Sequence, residues 1–223
     1  MKRKVLVVAV HPDDETLGCG GSILRFKKEK SKVYWLIATE MRGKHGCLVS
    51  SCRQRESEIE NVAKMYGFDG VFRLGFPTTG VEAVPKNKLV TSMRNIFDRV
   101  RPDTLFLPYR SDIHSDHRAI FDAASSCTKW FRSSYLKRIL MMETLSETEF
   151  APSLPETAFA PNYYIDITDF LKKKTEIMKL YKSEAKKHPF PRSLRNIRAL
   201  ATFRGATAGC MFAESFILLK EIV

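Results

Sequence analysis

The amino-acid sequence predicts an α/β protein, a mainly parallel sheet flanked by helices on both faces. Two observations carry that prediction. Short apolar runs alternate with longer stretches of helical periodicity through most of the 223 residues. Two of those runs end in clusters of histidine and acid, His11-Pro12-Asp13-Asp14-Glu15 and Asp112-Ile113-His114-Ser115-Asp116-His117. Parallel sheets bind ligands beyond the carboxyl ends of their strands, so topology and chemistry point to one rim.

Each element has its own signal. Val5 to Val10 is an unbroken apolar run and reads as a strand buried on both faces. Leu17 to Glu29 reads as a helix with Ile23, Leu24 and Phe26 inward, and Lys32 to Thr39 as a second strand. In Ser51 to Tyr66, Ile59, Val62, Ala63 and Tyr66 recur at helical spacing, and Gly67 stops the helix. Val71 to Leu74 is a short strand. Asn87 to Val100 is a helix that must end before Pro102. Thr104 to Leu107 is the strand before the second cluster, and Ser115 to Trp130 a helix with Ile120, Ala123, Ala124 and Cys127 inward. Arg138 to Met142 is a further strand. Trp35 and Trp130 are assigned to the core. The chain from about residue 151 onward is less regular within one domain spanning 1–223. Three prolines make Ala151 to Pro161 a loop. Tyr163 to Ile167 alternates as a strand does, and Thr168 to Ala185 reads as a helix. Two prolines deny a helix to His188-Pro189-Phe190-Pro191-Arg192. Ala213 to Ile222 fits a strand or a helix.

Composition removes several function classes. Hydrophobic residues are 44% of the chain, and no apolar stretch approaches the roughly 20 residues of a membrane span. The run after Met1-Lys2-Arg3-Lys4 is too short for a signal-peptide core and meets acids at once. The five cysteines, Cys19, Cys47, Cys52, Cys127 and Cys210, are odd in number and lack a CxxC. They read as reduced thiols of a cytoplasmic protein. The net charge of +12 reads as a solvated surface or, more sharply, as attraction for an anionic substrate. Neither zinc-finger spacing nor an RNP motif is present, so nucleic acid is not expected as a partner.

The two clusters suit a catalytic divalent metal, which takes three protein ligands and keeps one position open. His11 and Asp14 supply two ligands, and a histidine of the second cluster the third. His117, which begins a helix, is preferred, although the residues alone leave His114 open as the third ligand. Zinc is favoured by the ligand types, and Fe2+ or Mn2+ fits the same nitrogen and oxygen set. Adjacent Asp13 and Asp14 point in different directions, so Asp13 is free to take a proton from water as general base. His114 stabilises the oxyanion, and Asp116 holds His114 in the needed tautomer. The reaction class is amide hydrolysis. Three rival readings exist, of which a two-metal phosphoesterase needs more ligands than two histidines and one aspartate offer. A dinucleotide-binding oxidoreductase would use Gly18 to Gly21, but position 23 is isoleucine and three acids would crowd the pyrophosphate. A non-catalytic, metal-dependent carbohydrate-binding module has no use for Asp13.

His11 to Glu15 taken together with His114-Ser115-Asp116-His117 resembles the paired signature of the LmbE/PIG-L family of zinc-dependent N-deacetylases. Arg55-Glu56-Ser57-Glu58 is similar to that family's Arg-x-x-Glu. Leu74-Gly75-Phe76-Pro77, His188 to Ser193, Arg204-Gly205 and Ala213-Glu214-Ser215-Phe216 resemble other family segments. The resemblance implies a Rossmann-like fold and removal of acetyl from an N-acetylglucosamine-type sugar on a carrier. It also implies His11, Asp14 and His117 as zinc ligands, Asp13 as base and His114 as stabiliser. Arg55 would orient substrate or the site loops, with Arg204 and His188 as further candidates for substrate binding. Family members often associate, which implies a homo-oligomer. One departure is Thr78-Thr79, where many relatives carry an acid after the Gly-Phe-Pro loop.

Overall fold

The computed structural model describes residues 2–41 and 49–223; Cys47 lies outside them. The strands are β1 (Lys4–Ala9), β2 (Lys32–Glu40), β3 (Gly70–Pro77), β4 (Thr104–Leu107), β5 (Arg138–Met142), β6 (Tyr163–Asp166) and β7 (Ala213–Glu221). The helices are α1 (Asp14–Lys28), α2 (Val49–Tyr66), α3 (Lys86–Val100), α4 (Ser115–Ser126), α5 (Leu171–Met178) and α6 (Leu194–Ala208). One seven-stranded sheet runs in the order β3-β2-β1-β4-β5-β7-β6, parallel from β3 to β5 and antiparallel around β7.

The sheet has a core on each face. Val5, Val7 and Ala9 of β1 pack on one side with Trp35, Phe106 and Tyr181. Leu6, Val8 and Val10 pack on the other with Leu36, Met93 and Phe97. Strand β1 sits between β2 and β4, so the strand order reverses at the β1–β4 seam. A crevice opens beyond the carboxyl ends at such a reversal, and both acidic-histidine clusters follow those two strands.

Several boundaries differ from the sequence reading. Helix α4 ends at Ser126, so Trp130 leaves the core and stands 71% exposed, whereas Trp35 is fully buried. Helix α5 spans only Leu171–Met178. The pattern also missed α6, which starts directly after the proline loop with Ser193 as its cap, accepting from the Asn196 amide at 3.2 Å. Residues 213–221 form a strand between β5 and β6 rather than a helix.

Helix α1 is broken at Cys19, whose backbone leaves the helical region. A buried ion pair heals the break. The Glu214 carboxylate accepts from the amides of Gly21 and Ser22 at 2.7 and 2.8 Å and from the Ser22 hydroxyl at 2.6 Å. Lys174 donates to the Leu17 carbonyl at 2.9 Å and to Glu214 at 2.7 Å. Both side chains are nearly inaccessible to water. Removing one partner of a buried pair leaves the other charge uncompensated. Lys174→Met is therefore expected to lower unfolding free energy by about 3 kcal/mol, read from urea denaturation. Unchanged stability would remove the pair from the account of how α1 is held.

Candidate metal and catalytic site

The first cluster is shaped by its own backbone. Asp14 Oδ2 accepts from the amides of Val10 and His11 at 2.9 and 2.8 Å, which folds the chain back as it leaves β1. Asp13 adopts φ 131°, outside the regions favoured by side-chain-bearing residues. Such strain, where the surroundings enforce it, marks functional positions. Here Glu15 is the enforcer: fully buried, it accepts from the Asp13 amide at 3.1 Å and the Tyr181 hydroxyl at 2.8 Å. Burial raises its pKa to about 7. The glycines that follow serve packing rather than a pyrophosphate. A Cβ on Gly18 would meet Met142 at 2.9 Å, and one on Gly21 would meet Ile167 at 2.6 Å.

The second cluster starts α4. His114 caps that helix, its Nδ1 accepting from the Asp116 amide at 3.1 Å. The ring proton therefore sits on Nε2 when His114 is neutral. Burial lowers the His114 pKa, and the His11 charge acts in the same direction. His117, on the first turn, is fully buried.

The folded chain brings the clusters together. One ligand atom each from His11, Asp14 and His117 lie within 4.8 Å of one another. His117 Nε2 faces Asp14 Oδ2 at 3.3 Å, and His11 Nδ1 faces it at 4.0 Å. The remaining ring nitrogens are held from outside. His11 Nε2 donates to Asp116 at 3.1 Å, and His117 Nδ1 to Asp112 at 2.8 Å. Each carboxylate thus holds its ring with the other nitrogen directed at Asp14, the usual outer support of metal-binding histidines. This corrects the role read for Asp116, whose carboxylate holds His11 rather than His114. His114 is oriented instead by the Asp116 backbone.

A divalent cation fits this geometry. His117 Nε2 is buried with no hydrogen-bond partner, and two imidazoles with one carboxylate form a common zinc donor set. The electrostatics agree. Burial works against charge on Asp14, yet His117 and His11 hold its carboxyl well below the usual range. Burial likewise opposes a His117 cation, but Asp14 and Asp112 raise its pKa well above the ordinary value. His11, His114 and Asp116 converge within the same limit. In that grouping, however, Asp116 is already committed to His11 and to the amides of Thr79 and Val81 at 2.8 and 3.0 Å.

A cleft of about 290 Å³ opens beside the cluster, lined by His11, Asp13, Thr78, His114, Glu147 and Arg192 among others. A depression of about 590 Å³ adjoins it and shares Pro12, Met41 and Arg55. Burial and the neighbouring Asp14 push the Asp13 carboxyl well up, against the pull of Arg192, whose Nη1 lies 3.1 Å from Asp13 Oδ2. Arg192 also pairs with Glu184 at 3.0 Å. Arg55 binds Glu184, the Ser183 hydroxyl at 3.1 Å and the Pro12 carbonyl at 3.4 Å, tying α2 to the site loop and the tail. Two residues read as substrate-binding lie outside the cleft. His188 is exposed before a cis Pro189. Arg204 points from α6 to Glu143 at 2.9 and 2.5 Å, a pair that Ser215 joins. The sequence reading missed Arg192, Glu147 and Glu184 as cleft residues. Glu147 has a buried oxygen without a partner, and burial raises its pKa to about 7.

Comparison with known proteins gives consistent neighbours. The family model described as "PIG-L: GlcNAc-PI de-N-acetylase" matches residues 6–128. A protein of Bacillus subtilis (strain 168), named a probable N-acetyl-alpha-D-glucosaminyl L-malate deacetylase, is 30% identical over 131 residues. That match covers 55% of this chain and 59% of the relative. The diacetylchitobiose deacetylase of Thermococcus kodakarensis is 24% identical over 228 residues, covering 99% of this chain and 84% of that protein. Among solved structures, the N,N'-diacetylchitobiose deacetylase of Pyrococcus horikoshii superposes with a TM-score of 0.78 at 20% identity. The superposition covers 98% of this chain and 84% of that one, and it shows a shared fold.

Proposed function

Because the chain belongs to the PIG-L family, we propose that it hydrolyses the linear amide of an N-acetylated amino sugar of the N-acetylglucosamine type, releasing acetate. The observation that carries this reading is the convergence of His11, Asp14 and His117 beside the strained Asp13, with His11 and Asp13 lining one cleft. His11, Asp14 and His117 would hold the cation, with zinc the favoured ion. A cation so held supplies Lewis acidity, which acidifies water to a pKa of about 7 and polarises a carbonyl oxygen.

The chain's own groups do the rest. Asp13 takes the proton as water attacks the acetyl carbon. His114 donates from Nε2 to the carbonyl oxygen as negative charge builds there. When the carbon–nitrogen bond breaks, Asp13 returns the proton to the leaving amine. Arg192 holds the Asp13 carboxylate in line, and Arg55 fixes the Pro12 loop that carries it. The neighbouring depression supplies room for the remainder of the sugar conjugate. Cys19, Cys127 and Cys210 carry free thiols. No helix among the described residues is long and apolar enough to cross a membrane.

The test is a panel of N-acetylated amino sugars, both free and conjugated, with acetate and free amine measured together. Equal amounts of the two are expected from at least one member. Loss on chelation and recovery on adding zinc are expected as well. Metal-loaded protein that releases acetate from no member would overturn the reading.

A further inference from the structure

The net charge of +12 has no outlet at the cleft, where Arg55 and Arg192 are already paired with Glu184 and Asp13. Part of it lies at the opposite edge of the sheet. Strands β1, β2, β4 and β5 begin there, next to the far ends of α3 and α4. Lys4, Lys32, Arg101, Lys129, Arg132 and Lys137 are all exposed on this edge. Backbone hydrogen bonds knit it together, from Lys32 to the Arg3 carbonyl, from Asp103 to the Lys4 carbonyl and from Lys137 to the Asp103 carbonyl, at 2.8, 2.9 and 2.8 Å. Three acids share this edge, each with a hydrogen-bond or ion-pair partner. Asp103 accepts from the Lys4 amide at 2.6 Å, Asp98 from the Tyr135 hydroxyl at 3.2 Å, and Glu221 pairs with Arg138 at 2.9 Å.

Two bulky aromatic residues project from the same edge. Trp130 and Phe131 are 71% and 61% exposed, with ring centroids 6.0 Å apart. They sit in a turn whose ends are fixed: the Ser133 amide donates to the Lys129 carbonyl at 2.9 Å, and Arg94 holds the Ser133 hydroxyl at 2.7 Å. Lys129 and Arg132 flank them directly in sequence. Neighbouring exposed aromatics on a rigid turn, ringed by cations, have the chemistry of a peripheral membrane contact. The rings enter the headgroup region and the cations face anionic lipid. Nucleic acid would use the charge but gives no reason for two large apolar side chains to stand in water beside it.

We propose that this edge docks the protein on an anionic phospholipid bilayer, with Trp130 and Phe131 inserted at the interface and the cleft facing away from the lipid. The chain holds 2 tryptophans, and the other, Trp35, is fully buried, so emission changes report Trp130. The experiment is sedimentation of the full chain with vesicles of equal parts phosphatidylcholine and phosphatidylglycerol, and with phosphatidylcholine alone, while emission is recorded. Binding and a blue shift are expected with the anionic vesicles only. Lys129→Gln with Arg132→Gln is expected to weaken binding about 30-fold, and Trp130→Ala with Phe131→Ala about tenfold. Acetate release from a water-borne sugar is expected to stay unchanged in both variants, which keeps this inference separate from the hydrolytic reading. Absence of binding to anionic vesicles would overturn the proposal. So would binding indifferent to the two aromatics, or tighter retention on duplex DNA than on vesicles at the same salt.

Discussion

Asp13→Asn lowers the rate of acetate release about 10³-fold and leaves the bound metal in place. Asparagine has the same shape but cannot take a proton from water. It also belongs to the small group of residues that tolerate positive φ, which this position requires. The loss is expected in kcat, because Asp13 acts on the reacting atoms and is not one of the three converging ligands. Steady-state kinetics together with metal analysis read both halves of the expectation. Turnover within tenfold of the parent protein would remove Asp13 as the base.

His117→Ala abolishes stoichiometric metal binding, and hydrolysis goes with it. The ring is fully buried and its Nε2 faces Asp14 Oδ2 at 3.3 Å, where the two would share a cation. The substitution also strands Asp112, which keeps the Thr148 hydroxyl at 2.7 Å but loses the imidazole. Some stability loss is therefore expected, and circular dichroism must accompany the metal assay. His117→Gln is a milder companion that fills more of the space and still lacks the imidazole. A folded variant that retains one cation per chain after dialysis would contradict the ligand assignment.

Much of this site could be read from sequence because its ligands lie in two short runs at strand ends. The run Val5 to Val10 and the acids after it need no long-range information to be recognised. The groups that tune the site are different. Arg192 reaches Asp13 across 179 positions of sequence, from a loop that the two prolines mark only as irregular. Glu147 lies in a segment without helical or strand periodicity, and Glu184 lies near the end of a stretch read as helix that the structure ends at Met178. Asp116 illustrates a subtler limit. Its nearness to His114 in sequence suggested a partnership, but a helix N-terminus turns its carboxylate toward His11 on another strand end. The fold shows the same division. Strongly apolar strands were legible, whereas α6 carries arginines and small residues with only Ile197, Ala201 and Gly205 buried, a pattern too sparse to announce a helix. Trp130 was placed in the core as the last residue of a helix, and the early end of α4 leaves it in water.

A crystal of the zinc-loaded protein, with anomalous diffraction recorded on both sides of the zinc absorption edge, tests the central claim most directly. One strong peak is predicted, bonded to His11 Nδ1, one Asp14 oxygen and His117 Nε2, with Asp13 and His114 facing its open side. A map with no peak among those three side chains, or with the ion held by other residues, would contradict the account.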